Sequence, residues 1–403
     1  MKAGGVIKPL GEVCEFQRGL TYAKTDEVDV SNNIVLRATN IDLATNLLDL
    51  HELKYINDTV VVPAGKKVRK DSLLICTASG SKSHLGKVAY IDDDYDFAFG
   101  GFMGMLTPSA DMLPRYFFHL MTSGAYKDFI AALADGANIN NLKFTDLQRF
   151  PVPVPRLPEQ HRIVAILDAA FDGIATAKAN AEQNLQNARA LFESHLQAVF
   201  ADAWETGELV TLADLATDIT DGDHMPPPKA ASGVPFITIG NVAKHTRTID
   251  FSDTFKVSRE YFDSLKPNKK PQVGDVLYTV TGSFGIPVLL KDQQDFCFQR
   301  HIGLVRPKPD VRSEWLYYLL MSPQIVQQAN DGATGTAQKT VSLKVLRGFE
   351  VPRLPAAIQD AATVKLSALA TKTQRLESLY QQKLAALEEL KKSLLHRAFS
   401  GQL

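Results

Sequence analysis

No stretch of this sequence approaches the roughly 20 consecutive apolar residues that a membrane-spanning helix needs. Its start, Met1-Lys2-Ala3-Gly4-Gly5, lacks the apolar segment of a signal peptide, so a cytoplasmic protein is expected. Cysteine is scarce. Cys14, Cys76 and Cys297 are an odd number at wide spacing, which fits neither a disulfide framework nor a zinc knuckle, and they are expected to be buried small hydrophobes. Basic excess is absent too: 44 Lys plus Arg stand against 45 Asp plus Glu, a formal net charge of -1. Charge alone therefore does not point to nucleic acid, although phosphate neutralisation needs cations only where the backbone passes.

Catalytic motifs are equally hard to find. The Asn or Asp that adenine methyltransferases place before Pro-Pro and an aromatic residue has no counterpart, since Pro226-Pro227-Pro228 follows Met225 and precedes Lys229. Gly80 to Gly86-Lys87-Val88 resembles a phosphate loop but has one residue too many and no Ser or Thr after the lysine to hold magnesium. The histidines lack zinc spacing and there is no Gly-x-Ser-x-Gly elbow, so His84, His224 and His301 read as loop or surface residues. Neither a cofactor nor a metal is expected, and the chain reads as no enzyme.

What is present is a duplication. With 403 residues and 45% hydrophobic composition, the chain is long enough for two or three cored domains. Asp71-Ser72-Leu73-Leu74-Ile75-Cys76-Thr77-Ala78-Ser79-Gly80-Ser81 is echoed by Gly274-Asp275-Val276-Leu277-Tyr278-Thr279-Val280-Thr281-Gly282-Ser283, an apolar strand entering a Gly/Ser loop. Asp96-Phe97-Ala98-Phe99, then Met103 to Pro108, matches Asp295-Phe296-Cys297-Phe298, then Ile302 to Pro307. Arg115 to Met121 and Glu314 to Met321 are matching amphipathic helices, and each half closes on a Pro-rich extended segment, Phe150 to Pro158 and Phe349 to Pro355.

After each Pro-rich segment comes a long helix rich in Ala, Leu, Gln, Glu and Lys. In the first, Ile163, Leu167, Ala170, Ile174, Ala177, Ala181, Leu185, Ala188, Phe192 and Val199 recur at spacings near 3 and 4, a coiled-coil seam. In the second, Leu366, Leu369, Leu376, Tyr380, Leu387, Leu390 and Leu394 do the same, with Gly401 as a stop. Each is expected to run for about 40 residues, roughly 60 Å, and to bury its seam against its twin as an antiparallel pair. Packing of each helix on its own globular domain is the alternative. The globular halves, 6–150 and 209–349, carry short apolar runs bounded by Gly, Pro and Asp, the mark of an α+β fold. The expected organisation is an internal pseudo-two-fold repeat: recognition domain 1–157, helix 158–206, recognition domain 207–354 and helix 355–403.

In this order and at these separations, the chain resembles the specificity subunit, HsdS, of type I restriction-modification systems over nearly its full length. The residues that carry the resemblance are the repeat, the helix entry Leu157-Pro158-Glu159-Gln160-His161-Arg162-Ile163-Val164, and the ending Leu390-Lys391-Lys392-Ser393-Leu394-Leu395-His396-Arg397-Ala398-Phe399-Ser400-Gly401-Gln402-Leu403, echoed weakly by Leu191 to Phe200. Pro355-Ala356-Ala357-Ile358-Gln359 departs from the pattern by lacking the Glu-Gln pair, which puts a local helix-start contact in doubt. The resemblance implies two target-recognition domains, each reading half of a split site in double-stranded DNA. It also implies helices that dock two methyltransferase (modification) subunits, with motor-nuclease (restriction) subunits able to join. Docking would run along the helices that carry Ile163, Leu167, Ile174, Leu185, Phe192, Leu369, Leu376, Leu387 and Leu394. The specificity subunit itself does no chemistry. A coiled-coil assembly protein with protein-binding ends is the second reading.

Base reading needs exposed loops with paired donors and acceptors, and phosphate contacts need Lys, Arg, Ser, Thr or backbone amides. Two loops in each half qualify. Thr77, Ser79, Ser81, Lys82, Ser83 and His84 in the first are matched by Thr281, Ser283 and Phe284; an ordinary hairpin turn is the alternative. Asn138, Asn140 and Asn141 are matched by Thr336, Gln338 and Lys339, where Asn and Gln can bond an adenine edge in two places. Lys66, Lys67, Arg69 and Lys70, with Lys266, Lys269 and Lys270, are candidates for phosphate contact or a merely solvated face.

Overall fold

Proline cannot donate to a β-ladder, so the Pro-rich segments can be strands only at an edge. They form such edges. In a computed structural model, which describes residues 6–80, 84–135, 141–225, 227–336 and 338–403, Pro151–Val154 pairs antiparallel with Val6–Pro9, and Glu350–Arg353 pairs with Glu208–Thr211. Each ribbon ties the first residues of a globular half to its last ones, just before the long helix begins. The chain divides into two units: unit 1 is Met1–Glu182 with Gln382–Leu403, and unit 2 is Gln183–Gln381.

In unit 1 a four-stranded antiparallel sheet is built from β1 (Cys14–Arg18), β2 (Leu73–Cys76), β3 (Val88–Tyr90) and β4 (Met103–Pro108), in the order β1-β4-β2-β3. A second sheet joins Asn33–Leu36 in parallel with Ala98–Phe99. Every residue of β2 and β3 is buried, because both faces of this sheet are covered. One face lies in a core with helix α1 (Pro114–Leu120) and with Ile163 and Leu167 of the long helix α2 (Leu157–Thr206). The other packs against Leu36, Ile41, Phe99 and Met103.

Unit 2 repeats this construction. Strands β5 (Ala216–Asp221), β6 (Val276–Thr279), β7 (Pro287–Leu289) and β8 (Ile302–Pro307) run in the order β5-β8-β6-β7, and Val234–Ile237 pairs in parallel with Cys297–Phe298. Helix α3 (Ser313–Leu319) buries Trp315 and Leu316 in a core shared with Leu196 and Phe200 of α2 and Leu366 of helix α4 (Ala356–Ser400). The equivalence extends to single backbone angles: Asp71 and Gly274, which occupy the same place before β2 and β6, both have positive φ, 63° and 91°. Cys14, Cys76 and Cys297 are free and buried, as small hydrophobes.

The long helices reach 50 and 45 residues, longer than the seam spacing alone indicated. Within unit 1 the start of α2 packs on the end of α4: Ile163, Leu167 and Phe171 share a core with Leu395, Ala398 and Phe399, and Lys178 pairs with Glu388 at 2.9 Å. Within unit 2 the end of α2 meets the start of α4 through Leu196, Phe200, Ala362 and Leu366, with Arg189 and Glu377 at 3.0 Å. Both segments are therefore antiparallel, and both also lie on globular cores, so the two alternatives weighed for the helices coexist. Ile174, Leu185, Phe192, Leu369, Leu387 and Leu394 are half-buried. Leu376 corrects the expected seam: it is 37% exposed, and the buried positions are Leu366 and Thr373, with Ala370 and Glu377 half-buried beside them. That spacing of 4, 3 and 4 leaves Leu376 one residue, about 100°, off the packed stripe.

Buried glutamines join helix starts to domains. The Gln160 side chain accepts from Leu113 N (2.8 Å) and donates to the Asp111 (2.8 Å) and Pro155 (2.9 Å) carbonyls. Gln359 repeats this with Arg312 N (2.7 Å), Asp310 O (3.2 Å) and Leu354 O (2.8 Å). The doubt raised by the missing Glu-Gln pair is thus resolved: Gln359 alone makes the contact, and Ile358, at the place of Glu159, is exposed.

Candidate nucleic-acid interface

Strand β2 ends at Cys76, and the chain that follows is caught between two other segments. Thr77 N and Ala78 N both donate to the Phe102 carbonyl, at 2.9 and 3.2 Å, and the Thr77 hydroxyl donates to it at 2.9 Å. On the other side Leu142 N donates to Thr77 O (2.6 Å), and Ala78 and Asn141 form an antiparallel bridge. The two loops picked out in the sequence, some sixty residues apart in the chain, are therefore neighbours in unit 1, and the turn at Phe102 is a third member of the cluster.

Unit 2 builds the same junction. Val280 N donates to His301 O (2.9 Å), Val341 N to Val280 O (2.8 Å) and Gly282 N to Lys339 O (3.0 Å), and Thr281 bridges Thr340. Loop closure at 334–340 needs Gly335: its φ is 111°, and a Cβ there would lie 2.4 Å from Gln338 O. These hydrogen bonds fix the register of the repeat within the loops. Ala78, not Thr77, stands where Thr281 does, and Thr77 corresponds to Val280.

Thr77 and Thr281 are buried; the Thr77 hydroxyl donates to Phe102 O, and the Thr281 hydroxyl accepts from Thr340 Oγ1 at 3.3 Å. Both side chains lie within the junction and hold the loops together. Ser79 and His84 are half-buried, and Phe284 is half-buried against the unit 2 core. Asn141, Ser283, Thr336, Gln338 and Lys339 are exposed at the loop tips. Ser81, Lys82, Ser83, Asn138 and Asn140 lie outside the described residues. Of the lysine candidates, Lys67 is paired with Asp96, Lys270 Nζ donates to Asp263 O at 2.8 Å, and Lys269 Nζ reaches Gly222 O at 3.3 Å. Lys66 Nζ donates to Arg18 O (2.8 Å), which brings it to the end of β1 beside the Phe102 turn. Sequence reasoning missed Arg18, whose guanidinium lies 5.4 Å over the Phe144 ring, and missed the turn itself. The signal was there in Gly100-Gly101-Phe102, an aromatic after two glycines at a matched place in the repeat. Among the described residues no group of His, Cys, Asp or Glu is arranged to hold a metal.

The model of the type I restriction modification DNA specificity domain matches this chain twice, over residues 5–187 and 202–388. The chain belongs to this family. It is 27% identical to the EcoKI type I restriction enzyme specificity subunit of Escherichia coli K12, over 99% of this chain and 89% of that protein. It is 26% identical to the StySPI specificity subunit of Salmonella potsdam, over 99% and 89%. A solved chain from work on the assembly and conformational transition of the type I R-M system shares the fold with TM-score 0.77 at 19% identity, covering 99% of this chain and 98% of that one. The HsdS subunit from Thermoanaerobacter tengcongensis does so with TM-score 0.58 at 18% identity, covering 100% and 98%. Family membership makes this a DNA-specificity chain and not one of the catalytic components of such a system. No helix among the described residues is long and apolar enough to cross a membrane.

Proposed function

We propose that the chain reads a bipartite site in double-stranded DNA, one half with the 77–84 and 135–141 loops of unit 1 and the other with the 281–285 and 333–340 loops of unit 2. The observation that carries this reading is the junction itself: the same backbone bonds join the same two loops in both units, while the tip residues differ. Retained scaffold with altered tips is what two domains reading different sequences require. The helices dock two modification subunits, with restriction subunits able to join, in the cytoplasm. Docking is supported by exposed apolar side chains on α2 and α4, among them Leu191, Val364 and Leu379, which lack a partner within the chain's own cores.

Exchange of residues 6–150 for the equivalent domain of a relative, followed by sequencing of methylated motifs, tests the division of labour. One half-site should change and the other stay. Four residues inserted into α2 add about one turn, which keeps the seam in phase, and lengthen the helix by roughly 6 Å. At about 3.4 Å per base pair, the unread spacer should grow by one or two base pairs. A changed half-site with an unchanged spacer would mean that the helices are not the ruler, and a chain that with its methylase shifts no DNA would favour the assembly-protein reading.

A further inference from the structure

We infer that Phe102 and His301 are specificity-determining residues, the rings through which each unit touches bases of its own half-site. The inference rests on the DNA-reading function proposed above and names a segment, the turn before β4 and β8, that neither loop contains. Phe102 is 73% exposed, with Gly100-Gly101 before it and β4 after it. Single exposed apolar side chains are common on protein surfaces and need no explanation. What sets this one apart is how firmly its backbone is held: its carbonyl accepts three hydrogen bonds, from Thr77 N, Thr77 Oγ1 and Ala78 N. The adjacent Met103 N is bonded to Gly100 O at 2.8 Å, which closes the turn. A ring on a fixed backbone between two loops can meet a base edge with little loss of conformational freedom.

The surroundings match a duplex. Arg18, paired in register with Gly104 and exposed, Lys66 bonded to Arg18 O, and the exposed Lys143, next to the Leu142 that bonds Thr77, put cations around an apolar tip. Cations to phosphates and an apolar group to the bases is the division of labour found in DNA interfaces. For Phe102 the matching base feature is the thymine methyl group.

Unit 2 holds His301 in the same place by the same bond, Val280 N to His301 O. Its ring differs in chemistry. Arg300 Nε donates to His301 Nε2 at 3.4 Å, which leaves the proton on Nδ1 as a donor for a base acceptor, and burial with the neighbouring Arg300 charge favours that neutral form. One position thus carries an apolar reader in one unit and a hydrogen-bonding reader in the other.

The test uses the full chain assembled with its methylase, and reads methylated motifs and binding to a library of sites. Phe102→Ala should lose discrimination at one or two base pairs of one half-site, by roughly 5- to 150-fold at each, with the other half-site and the spacer untouched. His301→Ala should do the same to the other half-site only. Because Phe102 is mostly in water, its variant should melt with the wild type, which a thermal scan checks. A Phe102→Ala motif as sharp as the wild type's overturns the inference, as does an even loss of affinity across all sequences, which would make the ring a non-specific contact. A wild-type complex that yields no motif would instead overturn the DNA-reading function itself, so the two failures are separable.

Discussion

Replacing Gln160 with leucine should cost unit 1 about 3 kcal/mol, although leucine is nearly the same size and is apolar. The side chain is fully buried, so the loss is not one of exposure but of partners. Leu113 N, just ahead of α1, would lose its acceptor, and the Asp111 and Pro155 carbonyls would lose their donor. Among the described residues neither carbonyl accepts a second hydrogen bond, and leucine blocks the water that could replace the amide. A buried polar group left without a partner costs about 1–3 kcal/mol. Taking the low end for each of three groups gives roughly 3 kcal/mol, and added apolar contact offsets only part of it. For a domain of this size each kcal/mol moves the midpoint by roughly 2–4 °C, so the unit 1 melt should fall by about 6–12 °C.

Hydrogen exchange gives the sharper assay. If the clamp holds the entry to α1 against the start of α2, the Leu113 amide should exchange roughly 100-fold faster in the variant, since each 1.4 kcal/mol is a factor of ten. Gln160→Glu keeps an acceptor for Leu113 but removes the donor, and should fall between. A Gln160→Leu chain whose melt drops by less than about 2 °C, with unchanged exchange around residue 113, would refute the reasoning. Gln359→Leu is the parallel case in unit 2, and should be the milder, its bond to Asp310 O being longer.

The corrected seam predicts that Leu167→Asp, at a fully buried position, destabilises unit 1 by roughly 3 kcal/mol or more, whereas Leu376→Asp leaves the melt within about 2 °C; similar melts for both would mean the packed stripe is misplaced. Acid should weaken unit 1 through His119: burial holds its imidazole below the usual value of about 6.5. The folded chain therefore refuses a proton that the unfolded chain accepts, so stability is full at pH 7 and falls as pH drops through 6.5 towards 5. Burial would raise Asp168, but its hydrogen bonds to Arg115 and His119 outweigh this and hold the carboxylate low, which adds loss in the same direction at still lower pH. Joint replacement His119→Tyr with Asp168→Ser, the residues found at the equivalent places of unit 2, should flatten the pH dependence of the unit 1 melt between 7 and 5; an unchanged slope would discount His119.

The duplication, the long helices and the strand-bearing halves could be read from the chain because each rests on a pattern many residues long. What escaped were features set by a single hydrogen bond or a single rotation. Nothing in Thr77-Ala78-Ser79 says which residue faces Asn141, and only the bonds to Phe102 O and from Leu142 N fix the register. Leu376 fits a leucine spacing as well as Leu369 does, yet the packed stripe runs through Ala370 and Thr373, residues that a hydrophobicity count passes over. Gln359 was doubted because a neighbour was missing, whereas the contact depends on one side chain only.

Comparison of the two units shows where such a chain is free to change. In unit 1 the Ser72 and Thr107 hydroxyls meet at 2.9 Å, and in unit 2 the same places hold Asp275 and Arg306 at 2.7 Å. Likewise His119 with Asp168 becomes Tyr318 with Ser367, bonded at 2.7 and 3.1 Å. Both pairs differ at both members. A buried pair has to change jointly where altering one partner strands the other, as phenylalanine in place of Tyr318 would strand the Ser367 hydroxyl. Exposed tips such as Phe102 sit outside the cores, and the amide bond beneath it, Thr77 N to Phe102 O, has its match in Val280 N to His301 O. Single substitutions at those tips alter what faces outward without disturbing the core. On the proposed function, a change of this kind at Phe102 alters DNA specificity at little cost in stability.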